Sequence, residues 1–339
     1  MDADIIIDSR TPAPTIADLA VLAEAQGIRA LWCASYLDSR DGFANLVPAA
    51  MATNSIKLGV IAVNPYDIHP VRIASAVLTL NEVSQGRAQV IIGGGGEALM
   101  ALGIKPERRV GVVREAVEIV KAAGADAPLN YAGKNFTVKN YHPRWATAPK
   151  PPVYTAANKT QMLRMSARVA DGIMLSDLPP PLAKQKIDSV KTQLAEFGRD
   201  AERFRFSNFL AWHIYPDKQK AEREARMWLG FRGLFRRWVL TGFMSDADYD
   251  IIEAHRDVIY QAAMDRTHII PGVPEHLIQA CVDQLTLTGD LGDLDRHIET
   301  LRQHKAVGHT EVAFELRDTP DQSIQIIGER VLPALREQR

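Results

Sequence analysis

The chain has 339 residues, 46% of them hydrophobic and 24% charged, the proportions of an ordinary soluble globular protein with a sizeable core. Its formal net charge is −1, with Lys and Arg interspersed among Asp and Glu, so there is no basic stripe and nucleic acid is not an expected partner. Two distant cysteines, Cys33 and Cys281, exclude a disulfide framework and a multi-cysteine metal site; with no signal-peptide pattern and no apolar run near the ~20 residues of a membrane span, the expected location is cytoplasmic, without a membrane partner.

Short β-rich runs alternate with longer amphipathic stretches, the pattern of βαβ units around a parallel sheet. A strand over 4–8 (DIIID) precedes a helix over 15–26 that Gly27 stops, and a strand over 29–33 precedes a helix over 43–53. Strand 56–63, helix 71–84 and strand 88–92 follow, the last running into the four glycines 93–96. Helix 110–122 leads into residues 124–152, where periodicity is weak and the pattern predicts an excursion with one hairpin around 131–138. Alternation resumes with strand 153–156, helix 160–170, strand 172–175, helix 182–197 and strand 204–214. Residues 217–283 read as helical throughout, rich in Arg and aromatics and too long for one crossover, hence an insertion that caps the fold or makes a subunit contact. Helix 293–304, strand 310–314 and helix 323–337 close the chain. About eight strand–helix repeats within one domain, 1–339, predict an α/β fold, a (β/α)8 TIM barrel with insertions. An open doubly wound sheet is the alternative, but no G-x-G-x-x-G follows the first strand.

The loop 64–70 (NPYDIHP), the run 79–87 (TLNEVSQGR) and the glycine-rich end of the fourth strand occur in the order found in luciferase-like flavin- and deazaflavin-dependent oxidoreductases. The chain resembles that superfamily over nearly its full length. Within it, the chain is most similar to the methylene-tetrahydromethanopterin reductase branch, through Leu22-Ala23-Glu24, Gly27, Trp32, the run 55–59 (SIKLG), Asn64-Pro65-Tyr66 and the run 102–106 (LGIKP). The resemblance implies a barrel of the bacterial-luciferase type holding a hydride carrier, coenzyme F-420 (a deazaflavin) or FMN, at its C-terminal mouth with the reacting ring against the third strand. It also implies a non-prolyl cis peptide under the ring, which falls by position at Ile61–Ala62, and a phosphate turn after the fifth strand, here Ala156-Ala157-Asn158-Lys159-Thr160. Three places differ from the branch: Ile5 stands where it has an acidic Glu, with Asp8 the nearest carboxylate, Ala34-Ser35 replace an Asp-His pair, and the turn 156–160 replaces a glycine-rich one.

Read on their own terms, Gly93, Gly94 and Gly95 leave the backbone open to a planar ring or a phosphate, or form a mobile strand-to-helix turn. Asn158 or Thr160 could cap the next helix and leave N–H groups for an anion, with Lys159 adding charge; ordinary capping is the other reading. Asn64 could donate to a flavin carbonyl, and His69 is either a substrate contact or a helix-start hydrogen bond. Asp8 is the ionisable group near the end of an apolar strand, a general acid if burial raises its pKa, or a turn cap before Pro12. Asp177 reads as a helix cap or substrate contact, one of Trp212 and His213 faces the barrel interior, and Glu315 and Arg317 lie at the mouth. Trp228, Phe231, Phe235 and Trp238, at helical spacing, are core or a homodimer contact, and the basic run 232–237 is one face of an interaction helix. With no H-E-x-x-H and no cysteine cluster, no metal is expected.

The expected chemistry is hydride transfer between coenzyme F-420 and a small organic substrate, with a methylene-tetrahydropterin or folate-like C=N as one candidate acceptor. An FMN-dependent luciferase-like monooxygenase is the alternative on the same fold, and a non-catalytic flavin-binding scaffold the alternative of another class. A homodimer or higher homo-oligomer is the expected assembly.

Overall fold

The computed structural model describes residues 1–96, 99, 101–232 and 236–336. Its strands are β1 (Asp2–Asp8), β2 (Ala30–Ala34), β3 (Lys57–Val63), β4 (Ala88–Ile92), β5 (Leu129–Ala132), β6 (Thr137–Tyr141), β7 (Val153–Ala156), β8 (Gly172–Ser176), β9 (Arg205–Ile214), β10 (Thr286–Gly289) and β11 (Glu311–Leu316). Eight of them pair in parallel round a closed circuit, β1–β2–β3–β4–β7–β8–β9–β11 and back to β1, with helices between them. This is a (β/α)8 barrel. The antiparallel pair β5–β6 forms a separate hairpin within 124–152. Among the described residues no helix is long and apolar enough to cross a membrane.

β10 departs from the sequence reading, which had no strand there. It pairs beside the upper half of β9, from Thr286↔Ala211 to Gly289↔Ile214, beyond the point where β8, bonded to the lower half, ends at Ser176↔Phe209. Four residues that follow the helix Glu275–Leu285 without a turn residue between carry no periodic signal of their own.

Alternation along each strand sorts side chains into two cores. Ile5 and Ile7 of β1, Leu31 and Cys33 of β2 and Phe314 of β11 face the helices. Ile6, Trp32, Ile91, Tyr154, Met174 and Ala313 face inward and fill the middle of the barrel. Below them, at the N-terminal end, Asp4 and Glu311 are buried and share Arg29, and Glu311 also pairs with Arg205 at 2.8 Å. Trp32 Nε1 donates to Asp4 at 2.9 Å, so this floor is a closed ionic plug. The upper layer is left open for the site.

Two residues of the family-like runs hold the barrel's outer wall rather than its mouth. Glu24 accepts from the backbone N–H of Asn54 (2.9 Å), Ser55 and Ile56 (3.0 Å), fixing the start of β3, and although partial burial opposes it, these donors hold its pKa down at about 2. Arg87 uses all five guanidinium protons: to Ser84 O, Thr53 Oγ1, Ile56 O, Ala50 O and Thr53 O, at 2.7 to 2.9 Å. It thereby ties the C-terminal end of the helix Gly42–Ala52 to β3 and β4. Arg87→Met is expected to cost about 3 kcal/mol or more, because several buried carbonyls lose a charged donor at once. A fall in the urea midpoint at unchanged slope is the readout.

The helical region after β9 is broken into Lys218–Met227, a short turn Leu229–Phe231, Arg237–Leu240, Asp246–Ala254, Arg256–Met264 and Glu275–Leu285. The aromatics read as one stripe therefore lie on separate elements: Trp228 and Phe231 pack on each other (6.0 Å), whereas Trp238 lies against Lys186. Phe235 is outside the described residues, as is Glu337 at the expected end of the last helix. A Cβ at Gly230 would lie 3.0 Å from the Ile259 carbonyl oxygen, so the turn Leu229–Phe231 packs backbone to backbone on the helix Arg256–Met264. Of the basic run 232–237, residues 233–235 lie outside the described residues; Arg232 and Arg236 have extended backbone, Arg237 starts the next helix, and Arg232 turns inward.

Candidate active site

The C-terminal mouth has two unlike halves. On the β2–β7 side the strand ends are mostly small, Ala34, Ala62, Gly93 and Ala156, with the half-buried Ile61 beside them. The Ile61–Ala62 peptide is cis, where the resemblance puts such a bond. Gly93 N–H donates to Val63 O at 2.8 Å, and a Cβ on Gly93 would stand 3.3 Å from that of Ala62 and 3.8 Å from that of Ala156. These residues form a shelf that any larger side chain would fill. Gly95 has φ +72°, and a Cβ there would come 2.1 Å from Leu99 Cδ1, so both backbone and space call for glycine.

The other half, from β8 round to β1, is crowded with charge. Glu315, from β11, receives Arg317 at 2.5 Å, Arg232 at 2.9 Å and the hydroxyl of Tyr36 at 3.0 Å. Arg317 also donates to Tyr36 (3.1 Å) and Asp8 (3.3 Å), and lies over the Trp228 ring at 4.2 Å. Arg232 lies over Phe209 at 4.9 Å and reaches to 3.5 Å from Asp177. Glu315, Asp177, Arg232, Arg317 and His213 are all almost wholly buried. Several of their polar atoms have no hydrogen-bond partner: Asp177 Oδ1, Nε and Nη1 of Arg232, Nε of Arg317 and both ring nitrogens of His213. Buried polar groups left in this state mark a place where water or a ligand completes the network.

Burial and charge divide the two carboxylates. Burial alone would raise Glu315, but Arg232 and Arg317, with the Tyr36 hydrogen bond, hold it down at about 2, so it is a fixed anion. Asp177 is raised from the ordinary Asp value because burial outweighs Arg232, Arg236 and the Ser176 hydroxyl, which donates to it at 2.8 Å. Its backbone is left-handed (φ 54°) and its own N–H is bonded to Phe209 O, which holds the residue in place at the end of β8. Burial lowers His213, favouring the neutral imidazole.

Several expected roles change. Asp8 is part-exposed and partnered, accepting from Arg10 N–H and the Arg10 side chain (both 2.8 Å) as well as from Arg317. It caps the turn and is not the buried lone carboxyl that an acid at this place would need. The Asn64 amide closes its own turn, with Oδ1 accepting from Tyr66 N–H and one Nδ2 proton going to Asp67. His69 is exposed; its Nδ1 accepts from Val71 N–H at the start of the helix Pro70–Val83, and its ring stands edge-on to Phe136. Neither Asn158 nor Thr160 caps the helix Thr160–Val169: the N-cap is Lys159 and no side chain bonds there. Asn158 Oδ1 instead accepts from Ser176 N–H at 3.2 Å. Ala157 is buried, while Lys159 and Thr160 are exposed beside the uncapped helix start. Asp177 does not cap the helix Pro180–Glu196, whose N-cap is Pro179. His213 is on the inward side but lies under the helix Lys218–Met227, 3.7 Å from Glu224, while Trp212 packs outward on Phe314. Ile5, the match to the branch's Glu, points to the helices.

Arg232 and Tyr36 went unread in the sequence as site residues. Arg232 lies in a run that read as one face of an interaction helix, and instead it pairs inward with Glu315 and Asp177. Tyr36 follows the Ala34-Ser35 replacement, and its bond to Glu315 spans 279 residues.

A family model described as luciferase-like monooxygenase matches residues 5–310. A 5,10-methylenetetrahydromethanopterin reductase of Archaeoglobus fulgidus is 28% identical to this chain over 93% of it and 94% of that protein. The solved coenzyme F-420-dependent tetrahydromethanopterin reductase of Methanopyrus kandleri superposes with a TM-score of 0.80 at 20% identity, covering 99% of each chain. An F-420-dependent secondary alcohol dehydrogenase, solved with an F-420–acetone adduct, superposes with a TM-score of 0.79 at 18% identity, also over 99% of each chain. By the extent of the family match, this chain belongs to the luciferase-like monooxygenase family.

Proposed function

We propose that this chain is a coenzyme F-420-dependent reductase or dehydrogenase acting on a small organic substrate, with the C=N bond of a methylene-tetrahydropterin or folate-like carrier as the favoured acceptor. One observation carries the reading: a shelf of small residues faces a buried polar wall in which burial raises the pKa of Asp177 and arginines hold Glu315 as an anion. The names of the related reductase and of the two solved structures support the choice of cofactor and reaction.

The deazaflavin supplies the hydride when bound. Ala34, Ala62, Gly93 and Ala156, with Ile61 beside them, leave room for a flat ring against β3. The uncapped amides of the helix Thr160–Val169, with Lys159 beside them, suit the phosphate. Gly94 and Gly95 keep the intervening backbone close. Hydride addition to carbon leaves an electron pair on the substrate nitrogen or oxygen, and Asp177 holds the proton that goes there. Glu315, pinned between two guanidiniums, keeps Arg232 in register beside Asp177. His213 is a neutral member of the wall.

An absorbance titration of the purified protein with F-420 and with FMN tests the reading. Saturable binding of F-420 and not FMN is the expected result. Binding of FMN alone would replace it with the monooxygenase reading, and binding of neither would favour a non-catalytic scaffold.

A further inference from the structure

On the outside of the barrel, the helix Arg109–Ala122 after β4 and the helix Thr160–Val169 after β7 enclose a groove of about 430 Å³. Val110, Met165, Phe197 and the arginine stems make its floor apolar, and Arg114, Arg164 and Arg168 bring three guanidiniums to it. Their charge is only partly answered. Arg164 pairs with Glu196 at 2.7 Å, and Arg114 meets Glu115 and Glu118 only at 3.6 and 3.7 Å, with its buried Nε unpartnered. Arg168 is exposed, and among the described residues no carboxylate pairs with it.

The groove begins at the candidate cofactor site. Gln161, on its wall, directly follows the turn 156–160, and Val110 follows Arg109, whose stem lies where a Cβ on Gly94 would be, 2.6 Å from Cδ. A ligand anchored by a phosphate at that turn lies next to the groove's Gln161 end. An apolar floor with arginines along it suits a chain of methylenes that carries carboxylates, because Arg takes carboxylate in a two-pronged bond while its stem packs on apolar groups.

We propose that this groove binds the acidic side chain of the cofactor, the carboxylate-bearing chain that extends beyond the phosphate of coenzyme F-420. The proposal rests on the F-420 reading and adds a second anchoring site, outside the barrel, formed by Arg114, Arg164 and Arg168.

The test compares binding of intact F-420 with that of a deazaflavin that keeps the phosphate but lacks the carboxylate chain. The proteins are the wild type, Arg168→Gln and the double variant Arg114→Glu/Arg168→Glu, each at low and high salt. The wild type should prefer the intact coenzyme at low salt and lose that preference as salt rises. The double variant should bind intact F-420 about tenfold more weakly, Arg168→Gln about two- to fivefold, and both should bind the truncated form as the wild type does. Equal affinity of the wild type for the two forms, or equal weakening of both forms in the variants, would overturn the groove and leave the F-420 reading standing. Binding of neither deazaflavin by the wild type would overturn the reading and the groove together.

Discussion

Asp177→Asn is expected to lower turnover by about 10²- to 10⁴-fold, the span typical of removing a positioned general acid, while F-420 still titrates as in the wild type. The assay is oxidation of reduced F-420 with methylene-tetrahydromethanopterin as acceptor. Asp177 is raised by burial, against the pull of Arg232, Arg236 and Ser176 and with a smaller push from Glu315. Its acid form therefore persists above the ordinary Asp range, and the rate should fall on the alkaline side as that proton is lost. The Asn variant should lack this limb. Stability should follow pH in the same direction. A carboxyl whose folded pKa is raised contributes stability that is complete below the unfolded pKa and is lost as pH rises through the folded value. The Asn variant should thus melt no lower than the wild type at pH 8. Asp8→Asn, at a turn cap, should change turnover by no more than a few-fold. Wild-type turnover in Asp177→Asn would remove the acid from the scheme.

Glu315→Ala is expected to destabilise the fold by about 3–5 kcal/mol, because it leaves two buried guanidiniums, Arg232 and Arg317, facing each other without their shared anion. Here the pH linkage has the opposite sign. Glu315 is held down at about 2 by those arginines despite its burial, so its contribution is present above the unfolded Glu value of about 4.3 and is lost as pH falls towards 2. The difference in unfolding free energy between wild type and variant should accordingly be full at pH 7 and shrink through the acid range. Urea melts at pH 7 and pH 3 measure it. Equal midpoints at pH 7 would mean that the arginines find other partners and that Glu315 is not the centre of the wall. Glu315→Gln should fall between, since the amide still accepts from one guanidinium but carries no charge to balance the other.

The two variants separate the site's functions. Asp177 is expected to act on the rate with little effect on the fold, Glu315 on the fold and through it on the rate. That separation follows from their environments: both are buried, but only Glu315 has two cations in direct contact.

Much of the architecture is legible along the chain because it depends on local periodicity. The alternation of DIIID and of IKLGVIAV with amphipathic runs marked the barrel strands to within two residues at most ends, since a strand closed in by helices must present apolar side chains. The glycines after β4 were readable along the chain, and the position of the Ile61–Ala62 bond followed from the family resemblance. Glu24 and Arg87 stood out in family-like runs, although their partners, and so their structural part, did not. What local pattern could not supply was pairing across the barrel. Asp8 and Asp177 look alike in sequence, each an acid at the end of an apolar strand. Only the closed barrel puts Arg317 against the first and buries the second with an oxygen unpartnered. Likewise Arg232 becomes part of the mouth through its inward pairs with Glu315 and Asp177. The sequence by itself determined the eight strands of the barrel and the small residues of the shelf, which are properties of neighbours along the chain. The tertiary structure alone decided which carboxyl keeps its proton and which is locked as an anion, because burial and opposing charge are set by residues brought together from β1, β8, β11 and the turn before Arg232.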